Sequence, residues 1–359
     1  TSLLLRQIGS FVTHGTTQPQ WLERFYYQFP GPGDSTASSL WLNGVQHIGV
    51  QPGYTWPATF TAASYSTTGQ TLTPTVTFGS TGQDGSTGLF PNRRDYNTAL
   101  GVPPMNHFRV RTIQNELGGR VHVTYATDTA CDATPPSWDT QTSRCYPMWW
   151  SPPAPISPGF GVFYKYTVSS VVESDAWASA PDVTTTYTYG GTPAWHYQDI
   201  PSVIAPKDAA FADKLTWSDW RGYATVTVAH GKARTWYWVY RGMEGDRRAS
   251  GGCNAYSAPL VNGGFDWPYD QGLVAQVKYL TAAGVSRQAI TYSYAGAVLN
   301  GAAADANYCT SYDHVAYLMA NTRVASVTGE GLTLTSTIDR SYDSDGRLVT
   351  ERTNNSVTG

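Results

Sequence analysis

Apolar and polar residues alternate along most of this chain. In 120–126 (RVHVTYA), valine and tyrosine alternate with histidine and threonine, which is the period of a strand with one buried face. Gly118 and Gly119 lie just before this run and supply a turn. We therefore predict a β-hairpin over 108–126.

The same period of two recurs in the second half of the chain. It is clearest in 184–191 (TTTYTYGG), 234–242 (RTWYWVYRG), 288–296 (QAITYSYAG) and 331–342 (GLTLTSTIDRSY). Within the second of these segments, one face is predicted to carry Trp236, Trp238 and Tyr240, and the other face Tyr237 and Val239. Both faces are bulky, which predicts a strand covered on both sides.

Helical patterns are few. Two short helices are predicted, over 208–215 (DAAFADKL) and 311–322 (SYDHVAYLMANT), and neither has a strong cap or stop signal. Residues 51–88 are rich in threonine, glycine and serine, which fits either strands or a loose surface insertion. The proline-rich 151–159 predicts an extended connector. The fold class indicated is all-β, with many antiparallel hairpins.

The stretch RSYDSDGRLVTER, at 340–352, holds two aspartates and a glycine between strand-like residues. We predict a strand over 338–342, a tight turn over 344–346 and a returning strand over 347–352, because Asp and Gly tolerate the positive φ of such a turn. The competing prediction is a calcium-binding EF-hand loop. It would put Arg352 where a bidentate carboxylate is required, so the hairpin is favoured.

Composition narrows the possible partners. Charged residues are only 14% of the chain and the formal net charge is -3, with no basic block, so the electrostatic signature of nucleic-acid binding is missing. No apolar run approaches the ~18 residues that cross a bilayer. The chain starts at Thr1 without a leader pattern and stops at Gly359 within a strand pattern. We expect it to be part of a longer polypeptide with any export signal upstream.

Four cysteines allow three pairings. Their spacing favours Cys131 with Cys145 and Cys253 with Cys309, and inert thiols are the alternative. Closing a loop of about 15 residues stabilises by about 3 kcal/mol through the unfolded state. Disulfides would place the protein outside the reducing cytosol. The spacings do not match those of zinc ligands.

Three motifs resemble one family. YDSDGRLV is similar to the YD repeat, also called the RHS repeat, of pattern Y-D-x-x-G-R-L. A W-x-x-W-R-G-Y block followed by an R-G-M-x-G-D block resembles a segment of large exported RHS-repeat proteins of actinobacteria. The residues that carry the resemblance are Trp217, Trp220, Arg221, Gly222, Tyr223, Arg241, Gly242, Met243, Gly245, Asp246, Tyr342, Asp343, Gly346 and Arg347. It covers roughly 85–359, while 1–84 follows it loosely.

The resemblance implies an architecture. YD-repeat proteins wind antiparallel hairpins into a hollow shell, which in bacteria often encloses a toxin and which resembles the shells of teneurins. It implies a β-rich segment over 1–84 and a shell segment over 85–359, in a secreted or cell-surface protein. Asp343 and Arg347 are expected to pair across the turn. The proline and Asp-Pro-x-Gly-Leu core linked to self-cleavage is absent, so neither self-cleavage nor a toxin is expected within these residues.

Catalytic motifs are missing as well. No nucleophile elbow, zinc-binding H-E-x-x-H or phosphate-binding loop is present, and we expect no cofactor. A glycosidase would need two facing carboxylates, for which the candidates are Asp175, Asp219, Glu244 and Asp246. For Asp219 an ion pair with Arg221 is simpler, and for Asp246 a hydrogen bond to nearby backbone. His196, between two aromatics, is expected to be structural.

The tryptophans make sugar binding an alternative function. The candidates to stack on sugar rings are Trp149, Trp150, Trp195, Trp236 and Trp238. Aromatic pairs across strands also stabilise sheets, and that is the preferred interpretation. We therefore expect a structural wall rather than an enzyme, in contact with the rest of its own polypeptide and an enclosed effector. The alternatives are a module that binds a cell-surface or cell-wall glycan, and a secreted glycosidase.

Overall fold

The computed structural model describes residues 7–14, 16–49, 66–67, 70–71, 76–82, 84–127, 131, 137–152, 154–176, 180–198, 213–252, 266–299, 314–329 and 332–358. Regular structure in these residues is almost entirely β-strand, which confirms the all-β prediction. The two helical elements among them are single 3-10 turns, at Thr98–Leu100 and Pro268–Asp270. No helix in the described part of the chain has the length and apolar character needed to span a bilayer.

The strands are numbered in chain order. The first ten are β1 (Gln7–His14), β2 (Thr16–Gln28), β3 (Trp41–Gly49), β4 (Ser66–Thr67), β5 (Gln70–Thr71), β6 (Val76–Gly79), β7 (Leu89–Pro91), β8 (Asn106–Phe108), β9 (Thr112–Gln114) and β10 (Arg120–Ala126). The others are β11 (Cys145–Trp150), β12 (Gly159–Tyr164), β13 (Thr167–Ser174), β14 (Val183–Gly190), β15 (Ala194–Tyr197), β16 (Trp217–Gly222), β17 (Thr225–His230), β18 (Ala233–Val239), β19 (Val274–Leu280), β20 (Ser286–Leu299), β21 (His314–Gly329), β22 (Leu332–Tyr342) and β23 (Leu348–Thr358).

The chain forms two compact units. The first comprises Thr1–Asn92, Pro103–Thr124 and Val171–Thr184, and the second comprises Arg93–Val102, Tyr125–Ser170 and Thr185–Gly359. The boundary predicted between residues 84 and 85, where the repeat-like region would start, stays a prediction.

In the first unit, antiparallel neighbours follow the order β1, β2, β3, β6, β9, β10. Strands β7 and β8 form a separate pair, as do β4 and β5. The hairpin predicted over 108–126 is confirmed by the β9–β10 pairing. Gly118 has φ +85°, and Asn115 Oδ1 accepts hydrogen bonds from the NH groups of Leu117 and Gly119. The turn is therefore stabilised by the side chain of Asn115 and by the glycine conformation within the turn itself.

In the second unit, the main sheet has the order β14, β17, β18, β19, β20, β21, β22, β23, antiparallel throughout. From β17 onward each strand pairs with the strand that follows it in this numbering. Strands β11 and β12 pair separately, and so do β15 and β16. Pairing of chain neighbours keeps the entropy of closing the connecting loops low.

The two faces of this sheet differ in chemistry. Directly opposite residues of antiparallel strands project from the same face, so the register defines rows. One side, which we call the apolar face, carries the row Tyr189, Val226, Tyr237, Val277, Ile290 and Ala325, which ends in polar Ser336 and Asn355 on β22 and β23. Val277, Ile290 and Ala325 are only 8%, 7% and 8% exposed, so β19, β20 and β21 are packed on that side.

The opposite side is rich in hydroxyl and amide groups, and we call it the hydroxyl face. Its two central rows are Thr188, Thr227, Trp236, Lys278, Ala289, Ser326, Thr335 and Ser356, and Gly190, Thr225, Trp238, Gln276, Thr291, Val324, Thr337 and Asn354. The period-two prediction for these segments is thereby confirmed. The prediction that Trp236 and Tyr237 face opposite sides also holds.

The helix predicted over 311–322 is wrong where the structure describes it. Residues from His314 onward belong to β21, which pairs with β20 from Leu299↔His314 to Gln288↔Val327. The local helical pattern was weak and uncapped, and pairing along a long neighbouring strand outweighs it. Most of the helix predicted over 208–215 lies outside the described residues, and Asp213 and Lys214 form a turn.

Candidate functional site

Most of the motif residues meet in the second unit, around the short ribbon of β15 and β16. Trp195 lies opposite Trp220, His196 opposite Asp219 and Tyr197 opposite Trp217. Two of the four cross-strand pairs of this ribbon are aromatic on both strands, so ring packing contributes to its stability. We call the ribbon and the 240–247 and 266–272 segments that contact it the motif cluster.

Trp220 is the centre of the ring contacts. Its ring centroid lies 4.8 Å from that of Trp195 and 5.8 Å from that of Tyr223, both edge-on. Lys165 Nζ lies 5.5 Å from the same ring, close enough for a cation–π attraction. Tyr223 continues the chain of rings to Tyr189, at 5.0 Å. The W-x-x-W-R-G-Y motif is therefore a packing motif in this fold.

Trp217 and Trp195 also use their indole NH groups. Trp217 Nε1 donates to the carbonyl of Arg247 at 2.8 Å, and its ring lies 5.0 Å from that of Tyr197. Trp195 is 3% exposed and donates from Nε1 to the carbonyl of Ser143 at 2.9 Å. Buried tryptophan usually finds such a partner. Both rings are held in place and are structural.

Arg221 confirms the predicted ion pair. Its Nε donates to Asp219 Oδ2 at 2.8 Å, and its Nη1 donates to Gln271 Oε1 at 2.7 Å. Gly242 has φ +68°, and a Cβ built there would lie 2.9 Å from Arg221 Nη1 and from Pro268 Cα. Glycine at this position therefore supplies both the backbone conformation and the space for the arginine.

Asp266 organises the R-G-M segment and was missed by the sequence analysis. Its carboxylate accepts hydrogen bonds from the backbone NH groups of Arg241, Gly242 and Met243, at 2.7, 2.8 and 3.4 Å. Consecutive NH groups around a positive-φ glycine form an anion-binding concavity, and here the chain fills it itself. Arg241 also donates from Nη1 to the carbonyl of Thr192, at 3.2 Å.

Asp270 is a second buried carboxyl beside Asp266. It is 7% exposed. Burial, together with the charge of Asp266, raises the pKa of Asp270 to about 6. The described residues contain no group of three or more histidine, cysteine or carboxylate ligands placed to hold a metal ion. We therefore regard these two carboxyls as part of the local hydrogen-bond structure.

His196 and Asp246 form the most deeply buried polar pair, and each is 1% exposed. His196 Nδ1 donates to the carbonyl of Tyr197 at 2.7 Å. Asp246 Oδ1 accepts from the NH groups of Tyr197 at 3.0 Å and Arg247 at 2.9 Å, which confirms its predicted bond to nearby backbone. Burial, assisted by the positive charge of Arg221, lowers the pKa of His196 to about 4. The histidine is neutral at pH 7 and closed off from solvent, as a structural residue would be.

The four YD residues lie elsewhere in the second unit, at the β22–β23 turn. Asp343 Oδ1 accepts hydrogen bonds from the NH groups of Asp345 at 2.9 Å and Arg347 at 2.8 Å, and Gly346 has φ +80°. The Arg347 guanidinium pairs with Asp345 at 2.9 Å. Asp343 and Arg347 thus pair through the backbone of Arg347. The predicted hairpin is confirmed, with Tyr342 as the last residue of β22.

The four glycosidase candidates have different surroundings. Asp219 is held by Arg221, and Asp246 is buried against backbone NH groups. Glu244 lies in the turn just before Asp246, and Asp175 follows β13 in the first unit.

The sugar-stacking candidates lie in four different environments. Trp195 is buried, and Trp150 lies 4.4 Å from the Arg93 guanidinium. Trp149 contacts Phe160 edge-on at 5.2 Å and Lys214 Nζ at 5.6 Å. Trp236 and Trp238 lie on the hydroxyl face, with ring centroids 6.0 Å apart and planes 77° apart. Only this last pair stands among polar rows.

One disulfide is present among the described residues. Cys131 and Cys145 are joined, with Cα atoms 6.0 Å apart, and they pack with Val162, Trp138 and Tyr164. This confirms one predicted pair. Cys253 and Cys309 lie outside the described residues.

A pocket in the first unit has no counterpart in the sequence analysis. It has a volume of about 340 Å³ and is lined by Gly82, Asp84, Arg111, His122, Val123, Thr124 and Val172. Arg111 Nη2 donates to Asp84 Oδ1 at 3.3 Å and to Ser86 Oγ at 2.7 Å. Hydrogen bonds from Ser86 lower the pKa of Asp84. No local signal marks this site, because its residues come from separate strands and loops.

Comparison with protein-family models and with curated proteins gave no match for this chain.

Proposed function

We propose that this chain is a structural β-shell segment of a secreted or cell-surface RHS-repeat protein, which encloses or displays an effector encoded elsewhere in the full polypeptide. The observation that carries the proposal is the two-faced sheet of the second unit. Each of its strands from β17 to β22 pairs with the next strand, and from β17 to β21 an apolar face on one side is opposed by a hydroxyl face on the other.

A sheet of this kind suits a wall. A single hairpin cannot bury its apolar side, whereas hairpins laid side by side share one apolar layer. The opposite rows of threonine, serine and asparagine keep their hydroxyl and amide groups compatible with water. A wall needs both surfaces, one that packs against protein and one that meets water.

The motif residues support the same proposal by what they do. Trp217, Trp220 and Tyr223 pack ring against ring, while Gly242 and Gly346 occupy turns with positive φ. Each acts on the local fold. A structural role for the whole motif explains why these residue types are needed together.

The glycosidase alternative is weakened by the engagement of its carboxylates. Asp219 is held in an ion pair, and Asp246 is 1% exposed. A glycosidase needs an acid and a partner carboxylate in contact with the sugar. We therefore propose no catalytic role for these residues.

The test is expression of the complete open reading frame that encodes these residues. We expect the product in the medium or at the cell surface, with a segment that resists protease until the protein is denatured. Cryo-electron microscopy of the same product should show density enclosed by the sheet. A full-length product that stays in the cytosol, or in which no segment is protected, would overturn the proposal.

A further inference from the structure

Trp236 and Trp238 are unexpected where they lie. The row that forms the core of this sheet is on the apolar face, and these two rings project from the other side, among hydroxyl groups. Thr227 lies opposite Trp236, and Thr225 lies opposite Trp238. Packing of the apolar face therefore does not account for two of the largest side chains in the sheet.

The two rings form a corner. Their planes are 77° apart and their centroids are 6.0 Å apart, so the edge of one ring meets the other. Both residues keep part of their surface exposed. An indole face of this kind is a flat apolar surface beside polar groups. A sugar ring has the matching combination, with an apolar C–H face and hydroxyl groups around its edge.

The charges beside the corner have one sign. Lys278 lies opposite Trp236, with its Nζ 4.7 Å from the ring centroid. Arg234 is two residues before Trp236 on the same strand and projects from the same face, where it is exposed. The whole chain has a net charge of -3, so this local positive charge is not part of a generally basic surface.

Hydrogen-bonding groups extend from the rings along the sheet. Gln276 lies opposite Trp238, is only 7% exposed and donates from Nε2 to Thr291 Oγ1 at 2.9 Å, so it orders the sheet and does not face a ligand. On the other side of the rings, the half-buried Thr225 and Thr227 supply hydroxyl groups that can both donate and accept. These hydroxyl groups fit a ligand that carries many hydroxyl groups of its own.

From this arrangement we infer that the hydroxyl face around Trp236 and Trp238 binds an acidic polysaccharide, a polymer of sugars that carry carboxylate groups. A pyranose ring stacks on the exposed indole surface. Its carboxylate is bound by Lys278 and Arg234 through charge-assisted hydrogen bonds, and its hydroxyl groups meet the threonine rows. This binding function goes beyond a structural wall.

Polygalacturonate is a direct probe, with uncharged dextran as the comparison ligand. We expect polygalacturonate, at low ionic strength, to shift the tryptophan fluorescence and to give a saturable isotherm in calorimetry, and dextran to give neither. Raising the salt concentration should weaken binding, because the pair of charges lies at the surface.

A matched pair of variants separates this site from general attraction of a polyanion. Lys214 Nζ lies 5.6 Å from the ring of Trp149, which belongs to β11. Lys214 is therefore also a lysine beside a tryptophan, but it lies away from the hydroxyl face. Lys278→Gln should weaken binding by about threefold or more, and Lys214→Gln should leave it unchanged. Equal losses in the two variants would overturn the inference.

The rings are tested separately. Trp236→Ala should weaken binding by about tenfold or more, as loss of a stacked tryptophan does at binding sites. Circular dichroism shows whether the variant is folded, and Trp236→Phe, which keeps an aromatic ring, should retain most of the affinity. Absence of saturable binding by the unaltered protein, or full affinity in a folded Trp236→Ala variant, would also overturn the inference.

Discussion

Nε2 of His196 lies 3.6 Å from Oδ1 of Asp246, in a site where both side chains are almost completely buried. The other ring nitrogen of His196 donates to a backbone carbonyl, and Asp246 accepts two backbone NH groups. Each group thus has its main hydrogen bonds to the main chain. The pair joins β15 to the turn that ends the R-G-M-x-G-D motif, so protonation of the histidine acts directly on the motif cluster.

The first prediction is that acid destabilises the protein through His196. Burial lowers its pKa from 6.5 to about 4, so between these values the unfolded chain binds more protons than the folded one. The free energy of unfolding therefore falls as the pH falls from about 6.5 to about 4, by up to about 3 kcal/mol. Chemical denaturation at a series of pH values measures this slope.

His196→Asn provides the comparison, because its amide can still donate to the carbonyl of Tyr197 but does not titrate. The variant should lose stability at pH 7 and should lack the additional acid-dependent loss. A variant with the same slope as the unaltered protein between pH 6.5 and pH 4 would assign the acid sensitivity to other groups.

The second prediction concerns Asp270, whose pKa is shifted in the opposite direction. Burial raises it from 3.8 to about 6, so the folded state binds more protons than the unfolded chain between these values. Stability contributed by this group is complete below pH 3.8 and is lost as the pH rises through 6. Asp270→Asn should therefore raise the melting temperature at pH 7.5 and change it little at pH 4.

Asp266→Asn is the matched control for that experiment. Asp266 is also buried, but its carboxylate accepts hydrogen bonds from three backbone NH groups. Removing the charge should lower stability at pH 7.5 by about 1–3 kcal/mol. If both variants were destabilised equally at pH 7.5, the raised pKa of Asp270 would be refuted.

Local features of the fold could be predicted from the sequence. The turn at Asp343 and Gly346 depends on a carboxylate that reaches NH groups two and four residues onward and on a glycine with positive φ. The Asp219–Arg221 ion pair follows from the same-face spacing of two residues in a strand. These features depend only on residues that are close in the sequence. The same is true of β18, whose tryptophans project from one face and Tyr237 from the other.

Non-local features could not be predicted. Asp266 binds the NH groups of residues more than twenty positions earlier, and the pocket at Arg111 combines strands and loops from three stretches of the chain. Residues 314–322 form part of β21 because β20 offers a long antiparallel edge. Weak helical periodicity in a single segment contains no information about such an edge.

The third prediction concerns space at Gly242. Its φ is +68°, and an added Cβ would lie 2.9 Å from Arg221 Nη1 and Pro268 Cα. Gly222 has φ +79° with nothing within 4 Å of an added Cβ. In both Ala variants, backbone strain should lower the free energy of unfolding by about 1–2 kcal/mol. Crowding should lower it by about a further 1 kcal/mol or more in Gly242→Ala.

Urea denaturation of the two glycine variants measures the difference directly. Equal destabilisation of Gly222→Ala and Gly242→Ala would mean that Arg221 moves aside without cost. A larger loss in Gly242→Ala that is relieved by Arg221→Ala would locate the clash at the guanidinium, since the two changes would then be non-additive.

The last prediction is that the disulfide between Cys131 and Cys145 contributes about 3 kcal/mol, since it closes a loop with a sequence separation of 14. Its two cysteines pack with Val162 and partly buried Trp138, so replacement by serine also places two hydroxyl groups in an apolar cluster. Reduction is therefore the cleaner experiment. In a Cys253→Ser, Cys309→Ser background, dithiothreitol should lower the denaturation midpoint, and Cys131→Ser with Cys145→Ser should abolish that sensitivity. A midpoint in this background that is the same with and without dithiothreitol would show that the bond adds nothing to stability.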